Sequence, residues 1–404
     1  MKPLQGLKVI DFSKVLAGPL CAQHLGDLGA EIIKVEPLKF GDDTRRWPPF
    51  RGNDGTVFLS ANRNKQSLAL DLKTLEGKEI AHHLVGQADV LIESFSPGVQ
   101  KRLGLNHEVI KEINPRLIYC SISGFGTCGP LRDAKGYDVI LQAFAGIMSV
   151  TGDEGGVPVR SPFSPVDQAT GFHATTGILA ALLQRATTQK GSLVEVSLFD
   201  SAISFLAYFL QGFWETGKQP MKSGSGHESL CPYQAFQTAD DYMLLGIAND
   251  SLWGKFCDLT DLSRVADDPR FCTNAARVNN RTATVGMVQS VLITRNCEEW
   301  TSIFAKAGIP CAPIQSLAQV MEHPHTISSD MVIEYVHKTY GPLKTIAQPI
   351  RFDGYRNQPS SPPPLLGEHS IEVLRSSGYS ESIIQGFLER QIVYSPKIEA
   401  GFKS

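Results

Sequence analysis

The apolar residues of the first 125 positions form short runs that are separated by segments with helical spacing. The strand-length runs are Leu7–Phe12, Ala30–Glu36, Ser67–Asp71, Ala88–Glu93 and Pro115–Ile122. Between them, residues 20–28 and 74–86 place apolar side chains three and four positions apart, and each segment ends at or beside a glycine. Strands that alternate with helices predict an α/β fold, in which helices cover both faces of a doubly wound parallel sheet.

Beyond residue 125 the same pattern predicts further helices and a second, smaller domain. Helices are predicted at 137–148, 168–188 and 198–215, with a strand at 193–197. Short strands at 233–238 and 242–247 then precede helices at 250–260, 283–293 and 297–307, which is typical of a small α+β domain. The last helices are predicted at 369–377 and 381–390.

Two segments rich in Gly, Ser or Pro divide the chain into domains. Residues 217–231 form the first predicted linker, and residues 326–364, which end in Ser361-Pro-Pro-Pro364, form the second. The small domain is then 232–325. Because the linkers bracket it, we expect the tail at 365–404 to return to the large domain that begins with 1–216.

Composition and charge exclude several classes of protein. The 404 residues carry 38 Lys and Arg against 41 Asp and Glu, so the net charge is −3. This balance argues against nucleic-acid or membrane binding over the whole surface, and no apolar run is long enough to span a bilayer. The eight cysteines are scattered singly, and the chain shows no secretory signal, so we expect a reduced, cytoplasmic protein. No Cys/His spacing predicts a metal site.

One glycine motif admits two interpretations. Gly124-Phe-Gly126-Thr-Cys-Gly129 matches G-x-G-x-x-G and follows a predicted strand, which would suit a nicotinamide or flavin oxidoreductase. That site requires a helix to begin inside the motif, whereas Pro130 and the residues up to Gly136 continue as a loop. The alternative interpretation is a loop that is shaped around another ligand. The missing helix argues for this alternative and against a nicotinamide or flavin oxidoreductase.

Asp167 lies at the start of the predicted helix 168–188 and also admits two roles. An aspartate at this position is most often an N-cap, which accepts hydrogen bonds from the first free N–H groups. A carboxylate held ionised by the helix dipole is also a usable nucleophile toward an activated acyl carbon. The two roles are compatible.

Many short segments together resemble the family III CoA-transferases, the group that contains formyl-CoA transferase and carnitine CoA-transferase. They are Leu7-Lys-Val-Ile-Asp-Phe, Ala17-Gly-Pro, Leu28-Gly-Ala-Glu-Ile-Ile-Lys-Val-Glu, Asn64-Lys-Gln-Ser-Leu, Asp89-Val-Leu-Ile-Glu, Ser121-Ile-Ser-Gly-Phe-Gly, Gly136-Tyr-Asp, Gly308-Ile-Pro-Cys-Ala-Pro and Leu366-Gly-Glu-His. They occur in order from about residue 4 to 392, which is nearly the whole chain.

The resemblance implies an interlocked homodimer whose large domain is built from both chain ends. It implies that Asp167 is the nucleophile and that CoA moves from a short-chain acyl-CoA to an acceptor acid, in particular a dicarboxylic acid. The intermediates would be aspartyl anhydrides and an aspartyl-CoA thioester. No permanently bound cofactor is implied, since the CoA thioester is a substrate.

The resemblance also assigns binding residues by position. CoA contacts fall on Leu16, Ala17, Leu70, Lys73, Ser94, Arg102, Lys135 and Tyr137, and the substrate loop, Ser223–His227, supplies Gly224, Gly226 and His227. Arg102 suits the CoA phosphates because a guanidinium matches phosphate geometry. Pro37 stands where formyl-CoA transferase has an arginine, and Arg45 or Arg46 is the candidate replacement.

The runner-up is a 2-methylacyl-CoA racemase, a class that resembles this chain and shares its fold. Racemases carry a histidine where Tyr137 stands, and their chemistry requires an acid and a base on opposite faces of the substrate. A CoA-binding protein without turnover is a third possibility, against which the presence of Asp167 argues.

Overall fold

A computed structural model describes residues 2–396. Its strands are β1 (Lys8–Asp11), β2 (Glu31–Glu36), β3 (Phe50–Arg51), β4 (Asp54–Gly55), β5 (Lys65–Leu70), β6 (Val90–Glu93), β7 (Ile118–Ser123), β8 (Ser192–Ser197), β9 (Tyr233–Gln237), β10 (Tyr242–Gly246), β11 (Cys311–Pro313), β12 (Val332–His337), β13 (Gly341–Ile346) and β14 (Val393–Tyr394).

The helices are α1 (Ala17–Asp27), α2 (Thr56–Ala61), α3 (Leu75–Gly86), α4 (Val99–Leu103), α5 (His107–Ile113), α6 (Asp138–Phe144), α7 (Ile147–Val150), α8 (Pro165–Thr188), α9 (Leu198–Ser204), α10 (Ala207–Thr216), α11 (Asp250–Leu259), α12 (Ser263–Ala266), α13 (Asn274–Asn279), α14 (Arg281–Leu292), α15 (Cys297–Ala307), α16 (Leu317–Glu322), α17 (Pro324–Ser328), α18 (Ser370–Ser376) and α19 (Glu381–Glu389). A 3₁₀ turn spans Asp43–Arg46. Between residues 2 and 396, no helix is both long and apolar enough to cross a membrane.

A seven-stranded sheet in the order β14-β5-β2-β1-β6-β7-β8 forms the centre of the larger of two compact units. Every neighbouring pair is parallel except β14 and β5. The chain runs outward from β1 through β2 to β5 and then resumes at β6 on the other side of β1. The α/β prediction with a parallel sheet is therefore confirmed, and the strand order reverses between β1 and β6, where such sheets bind their ligands.

Apolar clusters cover both faces of this sheet, as expected for strands that are buried on two sides. On one face, Ile10 and Leu68 pack with Leu84 of α3 and Val373 of α18. On the other face, Val9 and Ile118 belong to a cluster with side chains of α1, α8 and α9. The tail thus packs on the large sheet, where Val393 of β14 pairs with Leu70.

The smaller unit has its own antiparallel sheet, in the order β11-β10-β9, and its own core. Phe236 of β9 packs in that core with Trp253, Phe256 and Phe304 from the surrounding helices. The unit contains residues 148–160 as well as 209–328. Hydrogen bonds from Gly224 N to Gly152 O and from Lys222 Nζ to Gly156 O attach the first of these segments.

Two further segments differ from the sequence-based description. The stretch 198–215 is two helices, α9 and α10, rather than one. Within the expected linker 326–364, β12 and β13 form a regular hairpin that belongs to the larger unit. There the Tyr340 hydroxyl donates to Asp54 at 2.8 Å. The last eight residues of the expected segment 365–404 lie outside the described residues.

Candidate active site

A cavity of about 930 Å³ opens in the larger unit at the carboxyl ends of the central strands. Its wall includes the segment after β1, from Phe12 to Gly18, and the segment after β6, from Ser94 to Lys101. Residues 121–126, at the end of β7 and just beyond it, and residues 132–137, before α6, complete much of the remainder. The cavity therefore lies at the reversal of strand order, and its size suits a nucleotide-containing ligand.

Asp167 lines this cavity from the first turn of α8. The helix begins at Pro165, so Asp167 is its third residue and Ser164 occupies the N-cap position. The N-cap interpretation of Asp167 is therefore wrong. Proline is favoured at the first helical position because its missing N–H would have no partner there, which explains why α8 begins before residue 168.

The carboxylate of Asp138 caps α8 instead. Its Oδ2 accepts hydrogen bonds from the backbone N–H groups of Val166, at 2.8 Å, and Asp167, at 3.1 Å. Asp138 is itself the first residue of α6, and Gln142, one turn later, donates to its other oxygen. The N-termini of two helices thus meet at one buried carboxylate, which fixes the backbone of Asp167.

This arrangement raises the pKa of Asp167 to about 7, first because the carboxyl group is largely buried and second because the negative charge of Asp138 lies nearby. The expectation from the helix dipole left out two effects, burial and a nearby like charge, and both favour the protonated form. The structure gives the cavity wall a carboxyl group that changes protonation near neutrality. Such perturbed groups are concentrated at functional sites.

The structure brings most of the sequence-predicted CoA residues to the cavity. Its wall includes Leu16, Ala17, Ser94, Lys135 and Tyr137, together with Asp167. Leu70, Lys73 and Arg102 are not part of this wall. The Leu70 side chain is buried in the apolar cluster beside the sheet, and on α4 the neighbouring Lys101 lines the cavity instead of Arg102.

The cations of the cavity wall are Lys14, Lys101, Arg132 and Lys135. Of these, the sequence analysis selected only Lys135, because a single basic residue in a loop is indistinguishable from an ordinary surface charge. Arg45 is not available as a phosphate ligand, because its buried guanidinium already binds the carboxylates of Glu36 and Asp54 at 2.8–2.9 Å. Arg46 pairs with Asp43 at 3.3 Å and does not line the cavity.

The Gly124–Gly129 loop also lines the cavity, but no helix begins inside it, since α6 starts only at Asp138. Gly124 and Gly136 cross closely, and a Cβ on Gly124 would lie 2.7 Å from Gly136 N. Both glycines are therefore required by backbone packing. The motif lacks the strand-to-helix turn of a dinucleotide site.

The predicted substrate loop, Ser223–His227, belongs to the smaller unit. Gly224 has a φ of +59°, and Gly226 N donates to Ser223 O, so the loop is a tight turn. His227 N donates to Tyr233 O, and the two rings contact edge to face with centroids 5.6 Å apart.

No group of three or more His, Cys, Asp or Glu residues within 2–396 is arranged to hold a metal ion.

The large parallel sheet has a nucleotide-sized cavity at its switch point, and the cavity wall contains a carboxyl group whose pKa is near 7. These features are typical of an α/β enzyme. The model of CoA-transferase family III matches residues 4–370, and the chain belongs to this family. The resemblance inferred from the sequence is therefore confirmed, and the protein is a CoA-transferase.

Individual relatives agree with this assignment. The human succinyl-CoA:glutarate CoA-transferase is 37% identical over 376 residues, which cover 93% of this chain and 86% of the relative. The formyl-CoA:oxalate CoA-transferase of Escherichia coli is 31% identical, with 97% and 99% covered. A crystal structure of a CAIB/BAIF family protein from Brucella suis has a TM-score of 0.82 and 36% identity, with 93% and 99% covered.

Proposed function

We propose that this enzyme transfers CoA between short-chain acids through covalent intermediates on Asp167, and that the acceptor is a dicarboxylate. The observation that carries this proposal is the position of Asp167 in the wall of the switch-point cavity, with its pKa near 7. The names of the human and Escherichia coli relatives, which specify glutarate and oxalate, support dicarboxylate acceptors.

The reaction begins when a carboxylate oxygen of Asp167 attacks the thioester carbon of the donor. The C–S bond breaks, CoA leaves as a thiolate, and an anhydride joins Asp167 to the donor acyl group. The thiolate then attacks the Asp167 carbonyl carbon and releases the donor acid as a carboxylate. The product is an aspartyl-CoA thioester.

The second half of the reaction repeats these steps with the acceptor. Its carboxylate attacks the aspartyl thioester and expels CoA thiolate, which then attacks the acceptor carbonyl of the new anhydride and frees Asp167 as a carboxylate. Every step exchanges one anion for another, so no net proton is transferred. The tetrahedral oxyanions require donors, which backbone N–H groups can supply.

The cations of the cavity wall provide the electrostatic part of CoA binding. Lys14, Lys101, Arg132 and Lys135 come from three segments of one wall. A nucleotide phosphate needs two or three such groups in a cleft, so a net charge of −3 is compatible with binding this polyanion. Gly224, Gly226 and His227 stay the predicted substrate loop.

An interlocked homodimer with a small domain inserted at 232–325 is the assembly we propose. It is supported by an exposed, mainly apolar stripe on α8, which comprises Phe172, Thr176, Ala180 and Leu183.

The cytoplasm stays the proposed compartment, supported by eight cysteines that are all free thiols.

The decisive experiment traps the covalent intermediate. Incubation with a short acyl-CoA and hydroxylamine should convert Asp167 to a hydroxamate, which mass spectrometry of the peptide identifies, and Asp167→Asn should abolish both the adduct and transfer. Transfer that survives in Asp167→Asn would refute the mechanism. Crossing a panel of acyl-CoAs with formate, oxalate, succinate and glutarate identifies the substrates, whereas deuterium exchange at the second carbon without an acceptor would indicate a racemase.

A further inference from the structure

Four charged side chains are buried together under the first loop of the cavity wall. Lys34 Nζ lies 3.0 Å from Asp42 Oδ2 and 3.9 Å from Asp11 Oδ2, and Lys65 Nζ lies 3.0 Å from Asp11 Oδ2. None of these side chains is more than 1% exposed. The four residues, which we call the ionic cluster, have no net charge, and all of them lie outside the cavity wall.

The ionic cluster binds the backbone of the loop Ser13–Leu16 and of the first turn of α1. Lys34 donates to Ser13 O at 2.9 Å, and Asp11 accepts from Ser13 N at 2.9 Å. Asp42 accepts from Val15 N at 3.3 Å. Lys65 donates to Pro19 O at 2.8 Å. Each member of the cluster therefore holds one backbone group of the segment that borders the cavity.

The loop that these bonds hold has an unfavourable conformation at one residue. Val15 has a φ of +71°, and a β-branched residue in the left-handed region is strained by contacts of its Cβ. Such strain costs on the order of 1–3 kcal/mol and persists only where surrounding contacts enforce it. The surrounding contacts here include the hydrogen bonds from Val15 N to Asp42 and from Lys14 N to Ser94 Oγ.

Stability alone does not explain the cluster. Buried ion pairs recover little more than their desolvation cost, and apolar replacements of the same shape are often more stable. Burial opposes the charge of all four members. It lowers the pKa of Lys65 to about 8, whereas for Lys34, Asp11 and Asp42 the ion pairs outweigh burial and the pKa shifts favour the charged form. An expensive arrangement that contacts a strained, cavity-lining loop points to positioning.

We propose that the ionic cluster holds the loop Ser13–Leu16 in its ligand-binding conformation before CoA arrives, with Asp42 as the principal positioning residue. The inference rests on the proposed CoA site. If the cluster is weakened, the loop relaxes from the left-handed conformation, and CoA must restore it on binding. The apparent Kd for CoA then equals the intrinsic Kd divided by the fraction of molecules whose loop is still in the binding conformation.

Asp42→Asn is the main test, and it has a matched control. Asp27 is an equally buried carboxylate in the same unit that binds Arg63 through two hydrogen bonds of 2.9 and 2.6 Å and does not contact the loop. Both variants should lower the unfolding temperature. Only Asp42→Asn should weaken the binding of free CoA in a calorimetric titration, by about tenfold if a tenth of the molecules remain competent.

Hydrogen exchange in the ligand-free enzyme reports the loop directly. The Val15 amide should exchange faster in Asp42→Asn than in the wild type or in Asp27→Asn. Val15→Gly added to Asp42→Asn should restore part of the CoA affinity, because glycine adopts positive φ without strain. At saturating acyl-CoA, kcat should change far less than KM.

Thr44→Val provides a milder variant if Asp42→Asn fails to fold. It removes the 2.8 Å hydrogen bond from Thr44 Oγ1 to Asp42 without leaving a charge unpaired, and it should weaken CoA binding in the same direction by a smaller factor. Unchanged affinity and unchanged Val15 exchange in these variants would overturn the inference. Failure of the wild-type enzyme to bind CoA would instead overturn the proposed function.

Discussion

At the scale of single residues, Asp167 must satisfy two opposing requirements. As the proposed nucleophile it must be ionised, whereas burial and the charge of Asp138 favour its protonated form. Asp138 is nevertheless needed for the structure, because its carboxylate accepts hydrogen bonds from the backbone N–H groups of Val166 and Asp167. The side chain of Asp138 thus positions the proposed nucleophile and also makes its anion less stable, which should make that anion more reactive.

The pH dependence of the reaction should report this conflict. Because the attack requires ionised Asp167, kcat/KM for the acyl-CoA should rise with pH and reach half its maximum near pH 7. Asp138→Asn removes the like charge, so the midpoint should fall by up to about one pH unit while burial keeps it above an ordinary aspartate value. Asp133→Asn, which removes an exposed carboxylate from the same cavity wall, is the control and should not move the midpoint.

The raised pKa of Asp167 should also make the stability of the fold depend on pH. Activity should rise with pH, whereas stability should fall. The folded protein holds a proton on Asp167 up to about pH 7, whereas the unfolded chain releases it near the ordinary value of 3.8. Stability therefore falls as pH rises between these values. Asp167→Asn lacks this loss, so its unfolding temperature should exceed that of the wild type by roughly 2–4 °C at pH 8. Equal differences at pH 8 and pH 4.5 in scanning calorimetry would contradict the assignment.

At the scale of secondary structure, the packing of α8 against α1 relates the proposed nucleophile, Asp167, to the proposed CoA-binding loop. Gly171, one turn after Asp167, faces the start of α1, and a Cβ there would lie 2.9 Å from Ala17 O and 3.3 Å from Leu20 Cβ. Since Ala17 lines the cavity, any separation of the two helices also moves the cavity wall. In the proposed mechanism, the close approach of the two helices sets the distance between Asp167 and the bound thioester.

Gly171→Ala should therefore reduce activity strongly, although the substitution adds only one methyl group. The methyl group forces α8 away from α1, and small displacements of reacting groups cost large factors in rate, so we expect roughly a tenfold loss in kcat/KM. Gly286→Ala on α14 is the matched control, because no heavy atom lies within 4 Å of its added Cβ. That variant should retain its activity and gain up to about 1 kcal/mol from helix propensity. Equal activities of the two variants would contradict the coupling.

The sequence predicted elements well where periodicity is the main signal and poorly where it is not. The strand expected at 67–71 is β5 at Lys65–Leu70, a shift of only two residues. The break between α9 and α10 was missed because apolar residues, Phe205-Leu-Ala207, continue across it. The β12–β13 hairpin was missed because Pro342 and the neighbouring prolines suggested a linker.

At the scale of the whole molecule, the fold was predictable from repeated strand–helix units, whereas much of the site was not. Asp167 was selected because it combines the start of a helix with a matching family segment, and its role as the nucleophile stays a prediction. Its partner Asp138 lies 29 positions earlier, and only the meeting of two helix N-termini brings them together. The charges at Lys14, Lys101 and Arg132 become a binding wall only once the strand order is known.

The α8 stripe carries the last prediction, which concerns assembly. Phe172 and Leu183 are 48% and 75% exposed, a poor arrangement for a monomer because the stripe between them is mainly apolar. In the proposed homodimer the stripe is covered, so light scattering should give twice the 44.1 kDa of one chain. Leu183→Glu should shift the enzyme toward monomers, whereas Leu75→Glu, at an equally exposed leucine on α3, should leave the dimer intact. A wild-type monomer, or a Leu183→Glu dimer of unchanged stability, would mean that the stripe is not the interface.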